Sequence, residues 1–267
     1  MYSVINLENL CGEVAVIAKS IGRYIKEESE RFSANDIEEK GFHDLVSYVD
    51  KEAEKQIVSS LSPLISEAGF ITEEKTYLKE SKEYSWIIDP LDGTTNFIHG
   101  IPTYSVSIGL TFQGELVLGV VYEINREECF TAWKDGGAFL NGKSISVSNT
   151  TSLSSSLLAT GFPFRSNENL DEYLVLLKKM MQSARGIRRI GSAAVDLAYV
   201  ACGRFDCFFE FNLQNYDMAA GILLVKEAGG KVIDFHGGGQ MLEKGSVIAG
   251  NSVMTDLVYD EVKKSFL

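Results

Sequence analysis

Apolar residues recur along this chain in two rhythms, one helical and one of strands. Residues 6–30 carry the helical one, as an amphipathic pattern with Glu8 and Glu13 among the apolar positions. It returns at Val46, Val49, Ala53, Ile57, Leu61 and Leu64, whose steps of three and four line one face of a second helix. Strand material follows at Trp86-Ile87-Ile88, through the alternation over 104–111, and at 116–122. Gln113-Gly114 and Asp135-Gly136-Gly137 read as the turns between such segments. After residue 150 helices and strands interleave. The pattern predicts a short strand at 157–159, a helix at 170–181, and an Ala-rich helix at 192–200 with Ser192 as its N-cap. A Phe-rich strand at 204–211 precedes a helix over 217–227, capped by Asp217 and closed by Gly229-Gly230. Strands at 231–233 and 247–249 and a helix from Ser252 complete the chain.

Strands that first cluster and then alternate with helices predict a layered α/β fold of two sheets and several helices. A soft boundary falls near residue 150, after the Asn141-Gly142 turn and the Ser/Thr-rich stretch 146–156. The expectation is an N-terminal metal-binding α+β part over 1–150 and a C-terminal α/β part over 151–267, joined as one catalytic unit. With only 4 Pro and no repeat or low-complexity tract, no linker separates them.

Composition narrows the function classes. Hydrophobic residues make up 45% of the 267, so a disordered chain is excluded. The net charge of −12 argues against nucleic-acid binding through phosphate-backbone contacts. It leaves room for a phosphorylated substrate where metal ions neutralise a local acidic site. No run of 18 apolar residues predicts a membrane span, and the N-terminus lacks the basic region of a signal peptide. Cys11, Cys129, Cys202 and Cys207 form no C-x-x-C and read as reduced thiols, which sets the expected location in the cytoplasm.

Candidate chemistry concentrates at 86–97. An apolar strand delivers Asp89 and Asp92, and Pro90 between them is expected to turn the chain out of the sheet. Two carboxylates so close repel each other, and a divalent cation with oxygen ligands, Mg²⁺ or Mn²⁺, offsets that repulsion. The N–H groups of Gly93 and Thr94 are placed to meet a phosphate oxygen. The plainer alternative is a turn in which both Asp side chains cap local backbone. Glu73-Glu74 again puts acid after a strand-like pair, Phe70-Ile71. Asp217 alone would be a helix cap, and Asp50 alone a solvated helix residue.

In combination these segments resemble the inositol monophosphatase family of Mg²⁺-dependent, lithium-sensitive phosphatases. The family's first signature stands at Trp86 to Phe97, with Asp89-Pro90-Leu91-Asp92-Gly93-Thr94-Thr95-Asn96 inside it. The second stands at Tyr216-Asp217-Met218-Ala219-Ala220-Gly221, followed by Glu227-Ala228-Gly229-Gly230. Phe70 to Glu74, Asp44 to Asp50, Asn141-Gly142-Lys143 and Gly191-Ser192-Ala193-Ala194 also match, in the expected order over roughly 5–265. The resemblance implies an α-β-α-β-α five-layer sandwich. It implies a first metal on Glu73, Asp89 and the Leu91 carbonyl, a second on Asp89, Asp92 and Asp217, and a weaker third ion near Glu73. Thr94, with Asp50 behind it, would orient the attacking water. Gly93, Thr94 and Thr95 would face the phosphate, and Gly191, Ser192, Ala193 and Glu210 the alcohol. Metals are needed because attacking and attacked groups are both anionic.

The family further implies a homodimer; the charge and the lack of a long apolar run set the expectation of no nucleic-acid and no membrane partner. The departures are Tyr216 where Trp is usual, Ser47 for Thr, and Gln214-Asn215 beside the substrate region. Lys40-Gly41-Phe42-His43 falls at a family loop from which Lys40 would approach the phosphate. The Thr95-Asn96 pair has the inositol-type form and not that of adenosine-bisphosphate phosphatases, which favours a polyol monophosphate such as myo-inositol 1-phosphate. Fructose-1,6-bisphosphatase or another sugar or nucleotide phosphatase on the same site is the alternative. Since some relatives act with the transcription machinery, a regulatory binding protein that keeps the fold is the non-enzyme alternative. His236-Gly237-Gly238-Gly239 is a turn, because no G-x-S-x-G supplies an esterase nucleophile.

Overall fold

The amphipathic N-terminal segment forms helix α1 (Leu7–Ser29), started by Asn6, whose side chain accepts from the Asn9 N–H. The computed structural model describes residues 5–32, 37–41, 44–77, 79–81, 83–163 and 169–266, with the backbone alone at 37–41 and 44–46. A hairpin of β1 (Ile37–Gly41) and β2 (Asp44–Ser47) leads into α2 (Tyr48–Leu61). The Lys40 side chain and residues 42–43, where an approach to phosphate was expected, lie outside the described residues.

The first sheet has seven strands in chain order. They are β3 (Gly69–Thr72), β4 (Tyr84–Asp92), β5 (Ser105–Phe112), β6 (Glu115–Glu123), β7 (Glu128–Trp133), β8 (Gly137–Leu140) and β9 (Lys143–Ser144). Strands β3 and β4 pair in parallel, and every later pair is antiparallel. A short helix, α3 (Thr94–Ile98), follows β4. The second sheet runs β11-β10-β12-β14-β13, from β10 (Leu157–Thr160), β11 (Gly186–Arg188), β12 (Cys207–Phe211), β13 (Lys231–Ile233) and β14 (Ser246–Gly250). Its helices are α4 (Leu170–Ser183), α5 (Ala193–Ala201), α6 (Asn215–Glu227), α7 (Met241–Lys244) and α8 (Ser252–Phe266).

Three hydrophobic clusters define the layers. Helices α1 and α2 bury Val14, Ile25, Ile57 and Leu61 against Trp86, Ile88 and Ile108 of the first sheet. Helices α5 and α6 fill the space between the sheets, with Leu197, Met218 and Ile222 meeting Val121 and Phe130 on one side and Phe208 and Val247 on the other. Helices α4 and α8 cover the outer face of the second sheet through Tyr173, Leu176, Val258 and Val262. The order is helix, sheet, helix, sheet, helix, the five-layer sandwich expected. Every residue of α5 is buried, as a helix apolar all round requires. Among the described residues no helix is long and apolar enough to cross a membrane.

Two details differ from expectation. Pro90 does not end the strand: β4 continues to Asp92, and the chain absorbs Pro90 as a register shift against β5 between Asp89 and Asp92. Helix α6 starts earlier than expected, with Gln214 as its N-cap and Asp217 in its first turn, where the Asp217 carboxylate accepts from the Gln214 N–H at 2.6 Å. Close packing then fixes where α6 lies. A Cβ on Gly119 of β6 would stand 2.7 Å from the Ala220 carbonyl oxygen, so only glycine lets the helix backbone rest on the strand. That contact brings the first turn of α6 to the end of β4.

Candidate metal centre

Asp89, Asp92 and Asp217 offer carboxylate oxygens that all lie within 4.8 Å of one another, and all three side chains are buried. Each arrives on a different support. Asp89 sits in β4, opposite Ser107 of β5, and its Oδ1 accepts from the Leu91 N–H at 3.0 Å. Asp92 closes the same strand, and its Oδ2 takes the Ser192 hydroxyl at 2.5 Å and the Ala194 N–H at 2.8 Å from the start of α5. Asp217 comes from α6. The parallel β3–β4 pairing adds a fourth acid. Thr72 stands beside Ile88, the Glu73 N–H donates to the Ile88 carbonyl at 3.2 Å, and the Glu73 carboxyl shares a hydrogen bond with Asp89.

Electrostatics crowd this cluster with negative charge, which a cation or protons would offset. Burial, and then the neighbouring Glu73, Asp92 and Asp217, hold the Asp89 carboxyl well above the usual carboxylate range. Burial and Asp217 push Asp92 up to about 7, against the pull of Ser192 and the α5 N-terminus. The positive ends of α5 and α6 point at the acids and offset part of the repulsion. The donor set is all oxygen and all carboxylate, which fits hard divalent cations such as Mg²⁺ or Mn²⁺ and does not fit a softer metal.

Beside the acids is a turn built for close approach. Gly93 has φ +96°, a left-handed conformation that a side chain would strain, and a Cβ there would stand 3.2 Å from the Gly191 and Thr103 carbonyl oxygens. The Thr94 hydroxyl is 3.0 Å from both the Asp50 Oδ1 and the Leu91 carbonyl, acceptors that share its one proton. Asp50 is fully buried on α2, and its Oδ2 accepts from the Ser47 N–H at 2.9 Å and the Ser47 hydroxyl at 2.6 Å. Burial raises its carboxyl above the ordinary value, while the Ser47 and Thr94 donors pull the other way. Thr95 is exposed at the mouth.

The residues expected at the alcohol end divide. Gly191 and Ala193 flank the signature turn, which Asn96 ties to their loop by donating to the Ile190 carbonyl at 2.8 Å. Ser192 is buried, and its hydroxyl is engaged with Asp92. Glu210 is the last residue but one of β12, half-buried, its carboxylate resting on Gly161, where a Cβ would come within 1.9 Å of it. Sequence reasoning passed over two acids. Asp196 in α5 is buried, with Oδ1 unpartnered among the described residues; burial, Glu210 and Asp92 hold its carboxyl well above the ordinary range. A lone acid in an otherwise apolar helix was the available signal. Glu54 on α2 is also fully buried and accepts from the Glu74 N–H, the Thr76 N–H and the Thr76 hydroxyl, each at 2.7 Å. It ties down the loop that carries Glu73. Its signal was its spacing, four residues after Asp50 on the same helix face.

The acid cluster lies between the two sheets of a five-layer α/β sandwich. The family model described as the inositol monophosphatase family matches residues 8–266, and the chain belongs to that family. The protein named Nus factor SuhB of Pseudomonas aeruginosa is 47% identical over 240 residues, covering 88% of this chain and 89% of that protein. The inositol-1-monophosphatase of Mesorhizobium japonicum is 45% identical over 226 residues, covering 84% and 85%. Among solved structures, the extragenic suppressor protein suhB of Bartonella henselae superposes with a TM-score of 0.91 at 41% identity, covering 97% of this chain and 100% of that one.

Proposed function

We propose that the protein hydrolyses a phosphate monoester of a polyol, with myo-inositol 1-phosphate as the leading substrate. The observation that carries this reading is the placement of Asp89, Asp92 and Asp217 within 4.8 Å beside the Thr94–Asp50 hydrogen bond. Glu73, Asp89 and the Leu91 carbonyl would hold one Mg²⁺, and Asp89, Asp92 and Asp217 another, with a weaker third near Glu73. When bound, these ions would neutralise the phosphate and ease departure of the alkoxide. This chain's own groups do the rest. Thr94 orients the attacking water through its hydroxyl, and Asp50 fixes that hydroxyl by accepting its hydrogen bond; one proton of the water ends on the departing alkoxide and the other stays on the phosphate product. The Gly93 and Thr94 N–H groups steady the phosphate, and Glu210 accepts from hydroxyls of the alcohol. An acid at Glu210 repels a second phosphate, which sets monophosphates above bisphosphates.

The deciding assay is phosphate release from myo-inositol 1-phosphate, fructose 1,6-bisphosphate and adenosine 3′,5′-bisphosphate, with Mg²⁺ and with EDTA. Release from the inositol ester that EDTA abolishes and Mg²⁺ restores is the expected result; turnover undiminished in EDTA refutes it. The name Nus factor on relatives 42–47% identical favours a second reading, a Nus-factor role for this chain. No release from any ester at any Mg²⁺ concentration would leave that reading standing alone.

A further inference from the structure

Between Glu13 and Glu27, α1 carries Lys19, Arg23 and Lys26 and no acid. Steps of four and three put the three cations on one face. In a chain of net charge −12 this is unusual placement. Lys55, Lys263 and Lys264 each pair with an acid three residues before them, Glu52, Asp260 and Glu261. Lys19 and Arg23 have no ion pair among the described residues, and Lys26 meets Glu127 across the rim at 3.5 Å.

This face opens on a cleft of about 490 Å³, the size of a small-ligand site. Its floor is the Tyr122 ring with Ile124. Tyr122 is only 8% exposed, yet its hydroxyl has no hydrogen-bond partner among the described residues. The ring reaches α1 because Gly22 has no side chain: a Cβ there would stand 2.5 Å from the ring. Lys19 and Arg23 line the cleft together with Lys26, Glu127 and Asn141; burial and then Glu127 hold the Tyr122 phenol above its ordinary value, with Arg23 pulling the other way. The cleft is distinct from the acid cluster, whose charge is opposite.

We propose that this cleft binds a phosphate-bearing small molecule, its phosphate held by Lys19, Arg23 and the Tyr122 hydroxyl and its remainder lying on the Tyr122–Ile124 floor. Guanidinium and ammonium groups converging with a neutral donor over an apolar surface suit a phosphomonoester better than a carboxylate, because three donors match three phosphate oxygens. Free phosphate and an organic phosphate share that head group.

The test is isothermal titration calorimetry with two probes, inorganic phosphate and phenyl phosphate. The full chain is stripped of metal by dialysis against EDTA and returned to EDTA-free buffer. The bare acid cluster then repels both probes, and neither is consumed. Saturable one-site binding of phenyl phosphate is expected, tighter than that of inorganic phosphate. Lys19→Glu with Arg23→Glu, both at exposed positions, should weaken it by about 10-fold or more, and Tyr122→Phe by about 3-fold, the scale of lost charge-assisted and neutral hydrogen bonds. Asp92→Asn should leave it unchanged. Equal affinity for the two probes keeps the site and makes free phosphate its occupant. No saturation by either probe at 10 mM (roughly the weakest useful affinity on the scale of free-energy arithmetic), or binding that survives the double charge reversal, overturns the proposal.

Discussion

Asp92 uses its two carboxylate oxygens differently. Ser192 and Ala194 both donate to Oδ2, which leaves Oδ1 for the cluster. In Asp92→Asn the amide oxygen can take over the two structural bonds, so its NH₂ faces the other acids and any cation. The expected result is a fall in kcat/KM for inositol 1-phosphate of at least about 10²-fold, or ~2.7 kcal/mol, with a fold intact by circular dichroism. Near-normal turnover would make Asp92 a turn residue. Glu210 is testable from two sides. Glu210→Gln removes its charge, and Gly161→Ala displaces its carboxylate without touching it chemically. Both should lower kcat/KM for inositol 1-phosphate by about 10-fold, the scale of one charge-assisted hydrogen bond, and change p-nitrophenyl phosphate hydrolysis far less. Equal losses on the two esters would move Glu210 out of alcohol recognition. The acids in the signatures were legible because Asp89 and Glu73 follow apolar strand segments and Asp217 opens an apolar helix. Glu54 and Asp196 were passed over, because the spacing of the one and the apolar setting of the other do not say what each acid meets until the partner layer is known.

Helix α2 serves the site through two side chains one turn apart. Asp50 reaches Thr94, while Glu54 holds the Glu74 and Thr76 donors of the loop after β3. Glu54 touches no expected substrate or cation, so it is a positioning residue for Glu73. Glu54→Gln loses one of its acceptor oxygens and should raise the Mg²⁺ concentration for half-maximal rate by about 3- to 10-fold, with the rate at saturating Mg²⁺ largely kept. A loss of maximal rate at unchanged Mg²⁺ requirement would contradict that role. At this scale the long helices were plain in the sequence, since α1, α4 and α8 each bury one clean face. Strand β4 was foreshortened, because Pro90 signals an exit and the local pattern cannot show a register shift that accommodates it. Strands β7 and β8 gave no signal of their own. They are short, and their pairing partners supply what their own residues do not state.

Across the whole molecule the acids set a dependence of stability on pH. Asp92, pushed up to about 7, and Asp89, also raised, bind protons in the native chain that the unfolded chain, near pH 4, has already released. Native protein then carries more protons than unfolded protein over that interval, so stability without metal falls as pH rises from about 4 to about 7. Thermal unfolding should therefore show the stabilisation by Mg²⁺ growing from pH 5 to pH 8, and Asp92→Asn should flatten the metal-free slope. A metal-free Tm that climbs through this range would mean the acids are not crowded as described. The two sheets followed from strands that first cluster and then alternate with helices, and the five layers from the resemblance carried by the motifs; periodicity alone did not say which faces meet.

The hydrogen bond from Ser192 to Asp92 joins residues 100 positions apart, and Asp217 arrives later still along the chain. During synthesis from the N-terminus the pair Asp89 and Asp92 emerges first and waits. Until α5 and α6 have been made, the chain carries Glu73, Asp89 and Asp92 but lacks Asp217, so of the two proposed cation sites only the one on Glu73, Asp89 and the Leu91 carbonyl has its ligands. Occupancy of the other site would then be a certificate of completed assembly: a product cut short before α6 should bind fewer ions than the whole chain, however well its first sheet had formed.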